Sequence, residues 1–193
     1  MGHEGLPLNR FAGSRWTEIP KRLINYLNEN NVRYEILHEP KDSCAQKSQS
    51  RTARYYAKVI IVRAGGQHVV VVLPTNSRID IKGFAKVGEP VRLETEEEFK
   101  WLFPDCAVGA IPPFGNLYGL PTFVDRELGK NEYIIFAAGT YSDHIRISYL
   151  TYQKIVRPRI GSFSLKVNSP FLSLTNKRAR AVGNNFACRQ RQR

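Results

Sequence analysis

The chain has 193 residues, 42% hydrophobic and 24% charged, with a formal net charge of +12. That length supports one full-sized domain with its own core, and the composition excludes wholesale disorder. No apolar run nears the ~18 residues of a membrane span, no apolar signal segment follows Met1, and Cys44, Cys106 and Cys188 are too scattered for a disulfide framework or a zinc site. The expectation is a soluble, cytoplasmic protein with no membrane partner.

In chain order, residues 1–14 read as a loose leader, since Gly2, Gly5, Pro7 and Gly13 interrupt any periodicity. Ile19, Leu23, Tyr26 and Leu27 fall at helical spacing, which predicts a helix over 17–30 capped by Thr17. Val32, Tyr34 and Ile36 alternate as in a half-buried strand. Ser43 and Gln46 match a capping box opening a second, polar helix towards Tyr56. Two β-branched runs, 58–62 and 68–73, flank the turn Ala64-Gly65-Gly66-Gln67 and predict a central hairpin covered on both faces.

A short helix near 80–86 and a strand over 90–93 come next. Thr95 and Glu98 then form a capping box, which accounts for the acidic cluster Glu96–Glu98 without a catalytic role. Residues 104–121 hold too many prolines and glycines for a helix or a central strand, so an ordered loop is expected. Strands resume at 122–124, 133–137 and 145–149, and a helix over 150–156 closes the unit. The folded domain is expected to span 15–160, followed by a basic tail over 161–193. All 17 acids precede that tail, which carries seven Lys and Arg and none of the acids. Such an imbalance favours a phosphate-bearing polyanion over a membrane, because the tail has no sustained apolar face.

The common catalytic signatures (nucleophile elbow, phosphate loop, zinc-protease helix) are absent, and His3, His38, His68 and His144 do not cluster at metal-ligand spacing. Three places remain. Lys58 opens an aliphatic strand, where a cation either snorkels out or faces an anion. Gly109-Ala110-Ile111-Pro112-Pro113-Phe114-Gly115 combines rigid prolines with glycines that let a ligand approach the backbone. In 137–144 a strand ends in small residues, Gly139 and Thr140 among them, followed by His144.

At these places the sequence resembles the YbaK/prolyl-tRNA synthetase editing-domain family of aminoacyl-tRNA deacylases. The likeness runs from about Trp16 to Pro158 through RLINYLNENNVRYEILHEP, AKVIIV, VVVVLPTNSRIDI, the loop at Gly109, LPTFVDREL and FAAGTYSDHIRISYLTYQKIV. The resemblance implies a mixed α/β fold, a barrel-like mixed sheet flanked by helices. It also implies hydrolysis of the ester joining a small, wrongly chosen amino acid to tRNA. Lys58 matches the family lysine that holds the terminal phosphate, and Gly109 to Pro113 match the loop that positions the ester. His144 falls where some members have a substrate-contacting histidine, and Asp125 matches a recurrent structural aspartate. Many members carry Thr or Asn after the lysine, where this chain has Val59.

The catalytic set implied is therefore Lys58, Gly109 and His144, with Ile111, Pro112, Pro113, Phe114, Gly115, Gly139 and Thr140 around the substrate. Ile111, Pro113 and Phe114 are expected to wall a pocket that admits only small side chains. No metal or organic cofactor is implied, because the ester is already activated. The partners implied are aminoacyl-tRNA and an aminoacyl-tRNA synthetase. The tail beyond Gly161 has no counterpart in the family core; its charge alone points to Lys177, Arg178, Arg180, Arg189, Arg191 and Arg193 as tRNA contacts. The alternative is a tRNA-binding or synthetase-associated module of the same fold that has lost the chemistry.

Overall fold

The computed structural model describes residues 18–38, 51–84 and 90–166. The capping pair Ser43/Gln46, Thr17 and the tail residues Lys177, Arg178, Arg180, Arg189, Arg191 and Arg193 lie outside the described residues. The first helix, α1 (Lys21–Glu29), starts later than the periodicity predicts and is preceded by Pro20, whose carbonyl accepts Leu23 N–H at 3.0 Å. Proline suits a helix entrance because its missing amide would have been unpaired there. Leu23 and Leu27 form the buried face of α1.

The chain order is β1 (Tyr34–His38), a 3₁₀ turn (Arg51–Tyr55), β2 (Tyr56–Ala64), β3 (Gln67–Pro74), β4 (Ser77–Ile79) and α2 (Ile81–Phe84). Then come β5 (Val91–Leu93), α3 (Glu96–Phe99), β6 (Thr122–Asp125), β7 (Tyr133–Ala137), β8 (Asp143–Ser148), α4 (Tyr149–Val156), β9 (Arg159–Gly161) and β10 (Ser164–Lys166). The large sheet runs β1-β8-β7-β2-β3-β6-β9, with β5 also paired to β2. It is mixed: β2–β7, β3–β6 and β6–β9 are parallel, the other pairs antiparallel. This is the expected α/β class, a mixed sheet flanked by helices.

The hairpin closes through Gly65 and Gly66, both at positive φ (53° and 79°), the conformation a two-residue turn between twisted strands requires. Its β-branched runs are covered on both faces, as the composition predicts. Val70 and Val72 join the main core with Leu23, Phe114, Phe136 and Tyr152. Val69, Val71 and Leu73 join a second core with Phe84, Phe123 and Phe163. Thr95 and Glu98 form the expected capping box, and Glu98 also holds Arg92 through two hydrogen bonds of 2.6 and 2.9 Å.

The ordered chain continues beyond residue 160. β10 pairs with β4, and buried Asp125 ties this return in place: its Oδ2 accepts Phe163 N–H and its Oδ1 accepts Glu127 N–H, both at 2.8 Å. Phe163 then packs against Phe84 and Phe123. Among the described residues no helix is long and apolar enough to cross a membrane.

Candidate active site

Lys58 lies in the middle of the sheet, and strand alternation decides its surroundings. β2 and β7 run parallel with Tyr56 opposite Ile135 and Ala57 opposite Phe136, and β7 meets β8 with Ala137 opposite His144. Successive side chains point to opposite faces. Tyr56, Lys58, Ala137 and His144 therefore share one face, while Ala57, Phe136 and Ile145 enter the main core on the other. Continuing the β2–β7 register by one residue puts Lys58 beside Ala137, so only the small Ala137 stands between Lys58 and His144. His144 is 6% exposed and meets the Tyr56 ring edge-on, with centroids 6.1 Å apart.

The Lys58 ammonium donates to Ser77 O at 2.5 Å and to Thr75 O at 3.3 Å, both just beyond β3. Burial, reinforced by the Arg78 charge, lowers its pKa from 10.5 to about 8. A desolvated amine near a guanidinium carries an electrostatic cost that a nearby anion would relieve.

The proline-glycine loop is fastened to the end of β7. Ala107 N–H donates to Gly139 O at 2.8 Å and Gly139 N–H to Ala110 O at 2.9 Å, while the Tyr141 hydroxyl donates to Val108 O at 3.0 Å. The structure thus brings Gly109, Gly139 and the β7–β8 turn together. Gly109 is exposed with φ 85°, a left-handed conformation that favours glycine. Pro113 O accepts a 2.7 Å hydrogen bond from buried Tyr152 Oη, which fixes the loop from below.

Four of the expected substrate-side residues sit in packed surroundings, beginning with Ile111 and Phe114. Both are buried in the main core, where Phe114 packs against Tyr26, Phe136 and Tyr152, because an apolar ring between helices gains more from burial than from lining a wet cleft. Gly115 is also a packing residue: a Cβ there would come within 2.5 Å of Thr122 Oγ1. Thr140 is committed to its own turn, its hydroxyl donating to Asp143 Oδ2 and accepting Asp143 N–H. Two shallow clefts, of about 250 and 290 Å³, open at the far end of the hairpin around Arg63, Gly65 and Val91, away from Lys58 and Gly109.

Sequence reasoning missed Tyr56, Arg78 and Asp143. Asp143 is buried, which alone would raise its pKa, but hydrogen bonds from Thr140 and His38 outweigh that and hold it below the usual carboxylate range. His38 Nδ1 lies 2.6 Å from Asp143 Oδ1. Cys106, hydrogen-bonded with Tyr118, is no nucleophile: burial pushes its thiol up to about 12. Among the described residues no group of three or more His, Cys, Asp and Glu side chains is placed to hold a metal ion.

A family model described as the aminoacyl-tRNA editing domain matches residues 38–155. A search of curated proteins returned no match. Among solved structures, one described as a candidate trans-editing enzyme for prolyl tRNA synthetase aligns at 19% identity with a TM-score of 0.62, covering 75% of this chain and 96% of that one. A scaffold protein from epitope backbone grafting by computational design aligns at 16% identity and TM-score 0.66, covering 76% and 97%. A candidate signal transduction protein from Marinobacter aquaeolei VT8 aligns at 14% and 0.63, covering 91% of this chain and 39% of its own. At these identities the structural likeness is one of fold.

Proposed function

The chain belongs to the aminoacyl-tRNA editing domain family, and from that premise we propose that it is a trans-editing deacylase that removes a small, mischarged amino acid from tRNA. The observation that carries this reading is the juxtaposition of two features. One is a desolvated Lys58 beside Arg78; the other is a glycine-proline loop hydrogen-bonded to the end of the neighbouring strand. Lys58 and Arg78 hold the phosphate of the terminal nucleotide. The exposed backbone at Gly109 receives the aminoacyl ester, with Gly139 supporting the loop and Ala110 to Pro113 giving it a fixed shape.

The reaction needs little more. Water attacks the ester carbonyl, the bond from the acyl carbon to the ribose oxygen breaks, and the ribose oxygen takes up a proton as the free amino acid leaves. The vicinal ribose hydroxyl assists the water, so no triad is required. Backbone amides aimed at the developing oxyanion are worth roughly 3 kcal/mol each. His144, buried behind Tyr56, acts as a positioning residue for the Lys58 strand. Size selection follows from the rigid loop backbone, which Ile111 and Phe114 anchor from the core side. The partners are aminoacyl-tRNA, bound with help from Lys177, Arg178, Arg180, Arg189, Arg191 and Arg193, and a synthetase that supplies the substrate in the cytoplasm.

One observation favours a second reading, a tRNA-binding module without turnover: the Lys58 ammonium is already engaged by two backbone carbonyls. Lys58→Ala separates the two. An editing enzyme loses ester hydrolysis in this variant while its circular dichroism is unchanged. An unaltered rate would overturn the site.

A further inference from the structure

Outside this site, two arginines and two tyrosines from three separate segments form a single stack. The Arg54 guanidinium lies over the Tyr55 ring, 4.7 Å from its centroid. Tyr55 and Tyr133 are stacked with centroids 4.6 Å apart and planes 11° from parallel. Arg146 covers the other face of the pair, 4.3 Å from the Tyr133 centroid. Both guanidiniums are exposed and both rings half-buried. The stack is held in place from the protein side: Asn131 Nδ2 donates to Arg54 O at 2.9 Å, the Arg54 guanidinium donates to Tyr55 Oη at 2.6 Å, and Arg146 donates to Glu35 at 3.1 Å.

This ladder adjoins the Lys58 row. Tyr55 directly precedes Tyr56, the first residue of β2, and Lys58 lies three residue steps beyond Tyr55, about 10 Å at ~3.3 Å per residue. Tyr133 and Arg146 lie on the same face of β7 and β8 as Ala137 and His144. Flat cations capping stacked rings match the two features of an unpaired nucleic-acid strand, its stacking bases and its phosphates. The chain's +12 charge complements such a polyanion.

We propose that the Arg54–Tyr55–Tyr133–Arg146 ladder is the docking surface for the unpaired 3′ end of an RNA, guiding it towards Lys58. The ladder rests on the deacylase reading only for which RNA it serves. Phosphates pair with the guanidiniums, and bases stack on the exposed guanidinium planes that the two rings support. A paired RNA stem or a protein partner would use the surface differently, and the test separates them.

The full chain is titrated by fluorescence anisotropy with two RNA hairpins, one bearing a four-nucleotide 3′ overhang and one blunt. Arg54→Gln, Arg146→Gln and Tyr133→Leu should each weaken overhang binding about tenfold. Each arginine variant should also lower the salt dependence by about 0.7 in log–log slope. Blunt-hairpin binding should change less than about twofold, since it lacks the stacking contacts. Glu35→Gln removes the Arg146 ion pair but keeps the guanidinium, so it should leave overhang affinity unchanged or tighter and serves as the fold control. Equal losses on both hairpins, or none on the overhang, would overturn the proposal. If the wild type hydrolyses no aminoacyl-tRNA yet the ladder variants lose overhang binding, the enzyme reading falls and the ladder stands. Normal hydrolysis with unaffected overhang binding gives the converse.

Discussion

Replacing Lys58 by methionine separates the functional cost of this residue from its structural one. Moving an amine from 10.5 to about 8 places about 3 kcal/mol of penalty on the charged form, at about 1.4 kcal/mol per pH unit. Methionine keeps the length and apolar stem but removes the charge. It also strips the ammonium's hydrogen bonds to Thr75 O and Ser77 O, worth about 1.5–3 kcal/mol each for a charged donor. The two terms oppose each other, so at pH 7 the variant should lie within about 3 kcal/mol of wild type and be inactive. The pH dependence fixes the sign. Because the folded-state pKa is lowered, the unfolded chain binds more protons between pH 8 and 10.5, so wild type gains stability across that window as its penalty is relieved. The difference between wild type and Lys58→Met should therefore move by about 3 kcal/mol in favour of wild type from below pH 8 to above pH 10.5. Urea denaturation of both proteins at several pH values measures it. A difference flat in pH would refute the picture of a desolvated cation held for an anion.

Other substitutions probe the scaffold around the site. Gly139→Ala should lose at least about 2 kcal/mol in the same urea assay, since φ 89° is unsuited to alanine and its Cβ would press on the Pro20 ring. Tyr152→Phe leaves Pro113 O without its buried donor. It should cost about 1–3 kcal/mol and slow single-turnover deacylation, because the loop loses its support. Asp125→Asn turns an amide group towards the N–H of either Glu127 or Phe163. A loss of about 2 kcal/mol is expected, with greater protease sensitivity of β9 and β10 as a second readout.

What the sequence made legible follows from how local its physics is. The hairpin could be read because Gly65-Gly66 and the flanking valines carry turn and strand chemistry within one short window. Thr95 and Glu98 announced their helix for the same reason, and the breakers between Pro104 and Pro121 announced a loop. Arg159–Gly161 and Ser164–Lys166 could not be read as strands, because three residues carry no periodicity; they form through β6 and β4, which lie far away in sequence. Lys58, Gly109 and His144 could be picked out as unusual, but their arrangement depends on the β2–β7–β8 register. Phe114 turns inward by packing on Tyr26, Phe136 and Tyr152, partners remote in sequence, and the register assembles Tyr55, Tyr133 and Arg146, none of which is unusual in its own stretch of sequence.

The most direct test of the central claim is hydrolysis of one tRNA charged in turn with alanine, cysteine, serine and proline, followed as loss of labelled ester with wild type and Lys58→Ala. The account predicts that wild type clears one small amino acid selectively and that Lys58→Ala does not. Intact ester across the whole panel, with the tRNA still bound, would contradict it.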